Sequence, residues 1–166
     1  MFAPSKISDI ERLLDITRSD SGISGPELAK AHIKLGSLVA KDFDLDPVDT
    51  TVVAIMRGGF FFAQGVYFEL GCKFDTFDPK REKFIRPSTK NVILADSVVN
   101  TGNSLRGVFE PGMLIACCVA NRKAVERFGE SLHAARISDN SYVGANVRTQ
   151  IGDIGPDTTM RLFNQI

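Results

Sequence analysis

The sequence predicts an α/β fold, a mostly parallel, twisted sheet flanked by helices. Three runs carry that prediction. Thr51–Met56, Asn91–Ala95 and Met113–Ala120 are apolar and β-rich, without polar alternation. That pattern suits strands covered on both faces. A helical spacing follows each run after a short break, and strand, loop and helix in alternation imply βαβ units. Sheets of this kind bind ligands at the carboxyl ends of their strands. Function is therefore expected in the loops after Met56, Ala95 and Ala120.

The elements follow in order. Ile7, Ile10, Leu13, Leu14 and Ile16 give residues 5–18 a helical spacing. Thr17 to Gly25 is rich in Ser, Gly and Asp and reads as a loop. Ser24-Gly25-Pro26-Glu27 has the form of a capping box with proline at a helix start. Leu28, Ala31, Leu35, Leu38 and Val39 then share one face, which predicts a helix over 25–41. Asp46-Pro47 marks a turn before the first strand. Arg57-Gly58-Gly59 breaks that strand, and Phe60–Leu70 reads as a helix stopped by Gly71. Further helices are expected over 103–110, ended by Pro111-Gly112, and over Arg122–Phe128, ended by Gly129. The remainder holds short strands and turns. Neither an internal repeat nor a low-complexity segment is present, and 166 residues suit one domain, 1–166, with a real core.

Composition excludes several classes. Hydrophobic residues are 43% and charged residues 24%, ordinary globular usage that argues against disorder. Lys plus Arg and Asp plus Glu are 20 each, a balance that does not point to nucleic acid or an anionic membrane. The longest apolar run, Met113–Ala120, is far shorter than the roughly 18 residues of a spanning helix. Met1-Phe2-Ala3-Pro4-Ser5 lacks the charged start of a secretory signal. The three cysteines, Cys72, Cys117 and Cys118, suit neither a disulfide framework nor a zinc site, so a reducing cytoplasm is expected.

The most informative stretch is residues 92–104, Val-Ile-Leu-Ala-Asp-Ser-Val-Val-Asn-Thr-Gly-Asn-Ser. A buried strand delivers Asp96 to its carboxyl end. Asn100, Thr101, Gly102, Asn103 and Ser104 then open the next helix. Free N–H groups and hydroxyls at such a start attract an anion, with help from the helix dipole. A carboxylate at the strand end can accept from sugar hydroxyls. Together they would hold a ribose 5-phosphate. The plain alternative is a buried strand followed by a capped helix.

This stretch resembles the phosphoribosyl pyrophosphate (PRPP) motif of the type I phosphoribosyltransferases: four apolar residues, one or two acids, a short apolar run, then Thr-Gly-Gly and Ser or Thr. Asn103 replaces the usual second glycine, and Ser97 stands where many members have a second acid. The lone acid points toward the uracil enzymes. Val53-Ala54-Ile55-Met56-Arg57-Gly58-Gly59 is similar to the family's pyrophosphate loop, where uracil enzymes carry Ile-Leu-Arg-Ala-Gly. Gly58 and Gly59 would let backbone approach a charged oxygen, and the Arg57 fork would clamp a phosphate. Gly152-Asp153-Ile154-Gly155-Pro156-Asp157 with Arg161-Leu162-Phe163 resembles the uracil enzymes' Gly-Asp-x-Gly-Asp-Arg-x-Phe-Gly tail. The resemblance extends from about residue 11 to the end.

The resemblance implies a site. Arg57, Gly58, Gly59, Asp96, Ser97, Asn100, Thr101, Gly102, Asn103 and Ser104 would bind PRPP. Val147, Ile151 and Gly152 would meet the base. Arg57, Asp96 and Asp153 would be catalytic, with Asp153 near the ribose and reaching metal through water. Mg²⁺ is the implied cofactor, and transfer to uracil with release of UMP and pyrophosphate is the implied reaction. Another base is the alternative. A PRPP- or nucleotide-sensing regulator without turnover is a further one.

Departures bear on these alternatives. Thr149 and Gln150 replace the family's Pro-Gly in the base segment, and Gln150 could reshape or fill the pocket. The hood between Gly71 and Asn91 is shortened, with Phe77 at a family arginine. That hood stays basic through Lys80, Arg81, Lys83, Arg86 and Lys90, as a mobile loop closing over pyrophosphate would be. His32 and His133 lie outside the motifs and read as structural or surface residues. The adjacent Cys117 and Cys118 read as sheet packing rather than nucleophiles. Phe60-Phe61-Phe62 cannot all face one sheet, because helical neighbours point about 100° apart. Either that helix is buried all round or it lies in a subunit interface, and a homodimer or higher homo-oligomer is expected.

Overall fold

The computed structural model describes residues 4–166, with side chains from Ser8 onward. Of the Met1–Ser5 stretch read as lacking a secretory signal, residues 1–3 lie outside the described residues, as does the side chain of Ile7.

Two helices precede the sheet, α1 (Pro4–Thr17) and α2 (Pro26–Ala40). The proline at the α2 start and Glu27 in its first turn match the expected boundary, but no side chain caps it. Then come β1 (Thr50–Ile55), α3 (Phe60–Leu70), β2 (Lys73–Phe77), β3 (Asn91–Val99), β4 (Leu114–Asn121), α4 (Arg122–Phe128) and β5 (Leu132–Ser138). Two short strands, β6 (Val143–Ala145) and β7 (Ile154–Pro156), and a last helix, α5 (Thr158–Leu162), complete the chain.

The main sheet has five strands in the order β2-β1-β3-β4-β5, all parallel. The expected fold class is therefore correct. The central strands are buried on both faces, which is why they read as unbroken apolar runs. On one face Leu35 and Val39 of α2 and Phe62, Ala63 and Val66 of α3 pack on Val52, Ala54, Ile93, Ala95 and Ala116. On the other, Leu105, Val108 and Ala124 cover Val53, Leu94, Ile115 and Cys117. A fully buried Leu or Phe of this kind contributes about 1.5–3 kcal/mol. Cys117 and Cys118 are buried in β4 as packing residues. Among the described residues no helix is long and apolar enough to cross a membrane.

Four expectations need correction. The helix over 103–110 does not form. A single 3-10 turn over Asn103–Leu105 leads into turns that drop Leu105 and Val108 onto the sheet. The window is short and carries Gly107, Val108 and Phe109, too weak in propensity to offset helix nucleation. The third strand runs four residues beyond Ala95, so Asp96 sits inside β3 rather than after it.

The hood holds an edge strand, β2, whose exposed Lys73, Asp75 and Thr76 hide it from an apolar-run reading. Phe77 ends that strand buried, against Phe84 at 5.2 Å between ring centroids. To pair in parallel, the chain must return to the amino end of the sheet before β3. Arg86 is fixed at that end: it donates to the carbonyls of Pro87 and Thr89 and meets Glu110 at 3.2 Å. It is therefore not part of a cover for the carboxyl edge.

The three phenylalanines all find partners in their own chain. Phe62 is core, Phe61 lies 5.2 Å from Phe163, and Phe60 lies 6.4 Å from Phe74.

Candidate active site

The turn after β1 meets β3 and α5 at the carboxyl edge of the sheet. The Met56–Arg57 peptide, at the end of β1, is cis. Gly59 starts α3 under the backbone of β3: a Cβ there would lie 2.2 Å from the Ala95 carbonyl oxygen. Its glycine therefore serves close strand–loop packing rather than approach to an anion. Gly58 faces the polar cluster instead. A Cβ on it would come within 2.9 Å of Thr159 Oγ1, 3.1 Å of Ser97 Oγ and 3.4 Å of Asp96 Oδ1.

Asp96 is half-buried, and its Oδ1 accepts from the Ser97 N–H at 2.7 Å. Desolvation raises its pKa from 3.8 to about 7, outweighing that hydrogen bond. An acid so placed gains from a ligand that offers it hydroxyl donors. Ser97 itself is buried, beneath Gly58 and α5.

Arg57 is exposed, with Nη2 donating to Gln165 Oε1 at 3.0 Å and its guanidinium 5.0 Å from the Phe163 ring centre. The residues just past α5 thus hold the arginine that the resemblance gives to pyrophosphate.

The loop after β3 is built by Gly102, with φ +73°. A Cβ on it would sit 2.3 Å from the Phe128 ring, so both conformation and space require glycine. Asn100, Thr101, Asn103 and Ser104 are exposed around it. Among the described residues nothing accepts from the N–H groups of Thr101 and Gly102. Arg127 Nη1 donates to the Thr101 carbonyl at 2.9 Å and to Asn103 Oδ1 at 3.2 Å, bracing the loop from α4. Where an α-helix start was expected, the chain forms a turn with free N–H groups.

Beside this loop, over β3, β4 and β5, lies a cavity of about 370 Å³. Asn100, Gly152 and Asp153 line it, so the end of β3 and the Gly-Asp segment share one space. Val147 and Ile151 do not line it and are 37% and 80% exposed. Gln150 does not fill the cavity. It accepts from Ser19 Oγ and donates to the Gly152 carbonyl at 3.0 Å, tying the Ser19 loop to the Gly-Asp turn. Arg161 closes the far wall. Its guanidinium donates to the carbonyls of Ile16, Thr17 and Ile23 and to Ser21 Oγ at 2.9–3.3 Å. The arginine of the C-terminal motif thus holds the loop between α1 and α2.

His32 and Arg136 also line the cavity, and motif reading passed over both. Each had a weak signal: a histidine on the apolar face of α2, and an arginine inside a strand-like run.

For metal, the described residues include no group of three His, Cys, Asp or Glu. Asp153 stands on an exposed turn. That donor set does not fit a resident metal centre.

No family model matches the chain, and no curated protein matches it. Solved structures do. AQ2163 protein from Aquifex aeolicus is 15% identical with a TM-score of 0.64, over 86% of this chain and 89% of that one. TT1426 from Thermus thermophilus is 18% identical with a TM-score of 0.51, over 81% and 97%. Adenine phosphoribosyltransferase from Leishmania tarentolae is 16% identical with a TM-score of 0.49, over 78% and 76%. The first two likenesses establish the α/β fold, and the activity of each neighbour is its own.

Proposed function

We propose that the chain transfers a phosphoribosyl group from PRPP to a ring nitrogen of a nucleobase, uracil being the acceptor that the sequence resemblance implies. The observation that supports this reading is the packing of Gly58 against Asp96 and Ser97 of the adjacent strand, with the Asn100–Ser104 loop following at the end of β3. Asp96 accepts from ribose hydroxyls. The N–H groups of Thr101 and Gly102, with the Thr101 and Ser104 hydroxyls, hold the 5-phosphate. Arg57, released from Gln165, meets pyrophosphate. Magnesium belongs with the substrate, chelated by pyrophosphate, and is not held by a protein cage. The C1–O bond to pyrophosphate breaks as the nitrogen–C1 bond forms, and the ring nitrogen yields its proton to solvent. Catalysis is then mainly positioning and charge stabilisation.

The test is PRPP binding by calorimetry, together with pyrophosphate release in the presence of Mg²⁺, with and without a pyrimidine. Binding and base-dependent release that both fall at least about tenfold in Asp96→Asn support the reading. Absence of PRPP binding overturns it. Binding without release favours the sensing alternative.

A further inference from the structure

The cavity over β3–β5 holds two polar groups that the chain leaves unmet. His32 is 1% exposed, and neither ring nitrogen has a partner among the described residues. Arg136 Nε is buried and equally without one. Buried polar groups are nearly always satisfied, so two unmet ones on a single void mark a place for a ligand.

The electrostatics narrow its class. Three guanidinium groups line the cavity, from Arg18, Arg136 and Arg161, against two carboxylates, Asp20 and Asp153. Asp20 feels the Arg136 charge, but both of its oxygens are engaged by Arg18, at 3.2 and 3.5 Å. Arg161 spends its donors on the loop between α1 and α2. Among the described residues Arg136 has no carboxylate in ion-pair distance. Its charge therefore lacks a counter-ion, and its planar fork suits a carboxylate. His32 is neutral, because burial and the nearby Arg161 charge push its pKa down to about 3. A neutral imidazole offers one donor and one acceptor, the complement of a ring edge with adjacent N–H and C=O.

We propose that this cavity is the acceptor site and selects a planar heterocycle that carries a negative charge, with His32 reading the ring edge and Arg136 pairing with the charge. The inference rests on the phosphoribosyl-transfer reading for what the ring is joined to, since Asn100 and Asp153 line the same space. It departs from neutral uracil, which would leave Arg136 unpaired.

The test is calorimetric titration of the full chain with uracil, uracil-5-carboxylate and uracil-6-carboxylate, with and without PRPP. One carboxylated ring is expected to bind at least about tenfold tighter than uracil. Arg136→Gln is expected to erase that preference by weakening the carboxylated ring far more than uracil, and Arg136→Lys to keep part of it. Uracil binding as tightly as either acid overturns the proposal. So does an Arg136→Gln variant that weakens both ring types equally, the mark of a merely structural role. So does a cavity that takes neither ring and holds ordered water only. Carboxylated-ring binding without PRPP binding sinks the transfer reading, and with it the cavity's role as acceptor site, and leaves its selection of a charged ring. PRPP binding with no preference between rings sinks this one alone.

Discussion

Over β1 and β3 the carboxyl edge of the sheet is closely packed, whereas over β4 and β5 a cavity opens. On the closed side glycine allows close approach: a Cβ on Gly59 would meet the Ala95 carbonyl oxygen, and one on Gly58 would meet the side chains of Ser97, Asp96 and Thr159. On the open side, side chains from α2, β5 and the turn around Gly152 surround a void and leave His32 and Arg136 unmet. The difference shows two ways of making a site. Close backbone approach needs glycine and small hydroxyl residues in one short stretch. A side-chain cavity draws single residues from distant segments.

Substitutions can break this contrast, and the largest effect is expected on the closed side. Gly59→Ala puts a methyl group 2.2 Å from a carbonyl oxygen that cannot move without β3. It should cost about 3–5 kcal/mol. Thermal unfolding should show a Tm lower by roughly 10 °C. A Tm within a few degrees of the wild type would mean that the loop is free to shift.

Arg161→Met tests the wall shared by both sides. It strands the carbonyls of Ile16, Thr17 and Ile23 and should cost about 2–4 kcal/mol. Amide exchange in residues 17–23 should accelerate with it. Unchanged exchange there would show that the loop holds itself.

The two sides should also respond oppositely to pH. Asp96 has a folded pKa near 7, above its ordinary 3.8, so between those values the folded state keeps a proton that the unfolded state has lost. Its contribution to stability is full below pH 4 and is lost as pH rises to about 7. His32 has a folded pKa near 3, below its ordinary 6.5, so its contribution is full above pH 6.5 and is lost as pH falls toward 3. Each amounts to about 2–4 kcal/mol across its window, and in the wild type the two slopes oppose each other. Asp96→Asn should be more stable than the wild type at pH 8, with stability that rises from pH 4 to 6.5. His32→Leu should show the reverse slope. Denaturant melts at several pH values measure both, and parallel curves for the two variants would refute the assignment.

The smallest effect is expected from Arg127→Ala. This exposed arginine braces the Thr101 carbonyl and Asn103. Stability should move by under about 0.5 kcal/mol. PRPP affinity should fall by about threefold to tenfold, read by calorimetry. An unchanged affinity would show that Gly102 and Phe128 shape the loop alone.

Much of the fold was legible in the sequence because burial on both faces writes a strand as an unbroken apolar run. β1, β3 and β4 were readable for that reason, as was α3 from its glycine stop. β2 was hidden because an edge strand alternates exposed polar residues, and the helix over 103–110 was misjudged because tertiary packing replaced it with a turn. The loops at Arg57–Gly59 and Asn100–Ser104 were visible as compact motifs, although Gly59 turned out to serve packing.

By itself the sequence determined the parallel α/β architecture and the residues of the closed side, since strand burial and glycine-dependent backbone approach are local properties of short stretches. Only the tertiary structure decided that Arg161 anchors the loop between α1 and α2, that Gln165 holds Arg57, and that His32 and Arg136 face one cavity. Those facts depend on which distant segments the sheet order brings together, and no local spacing encodes that.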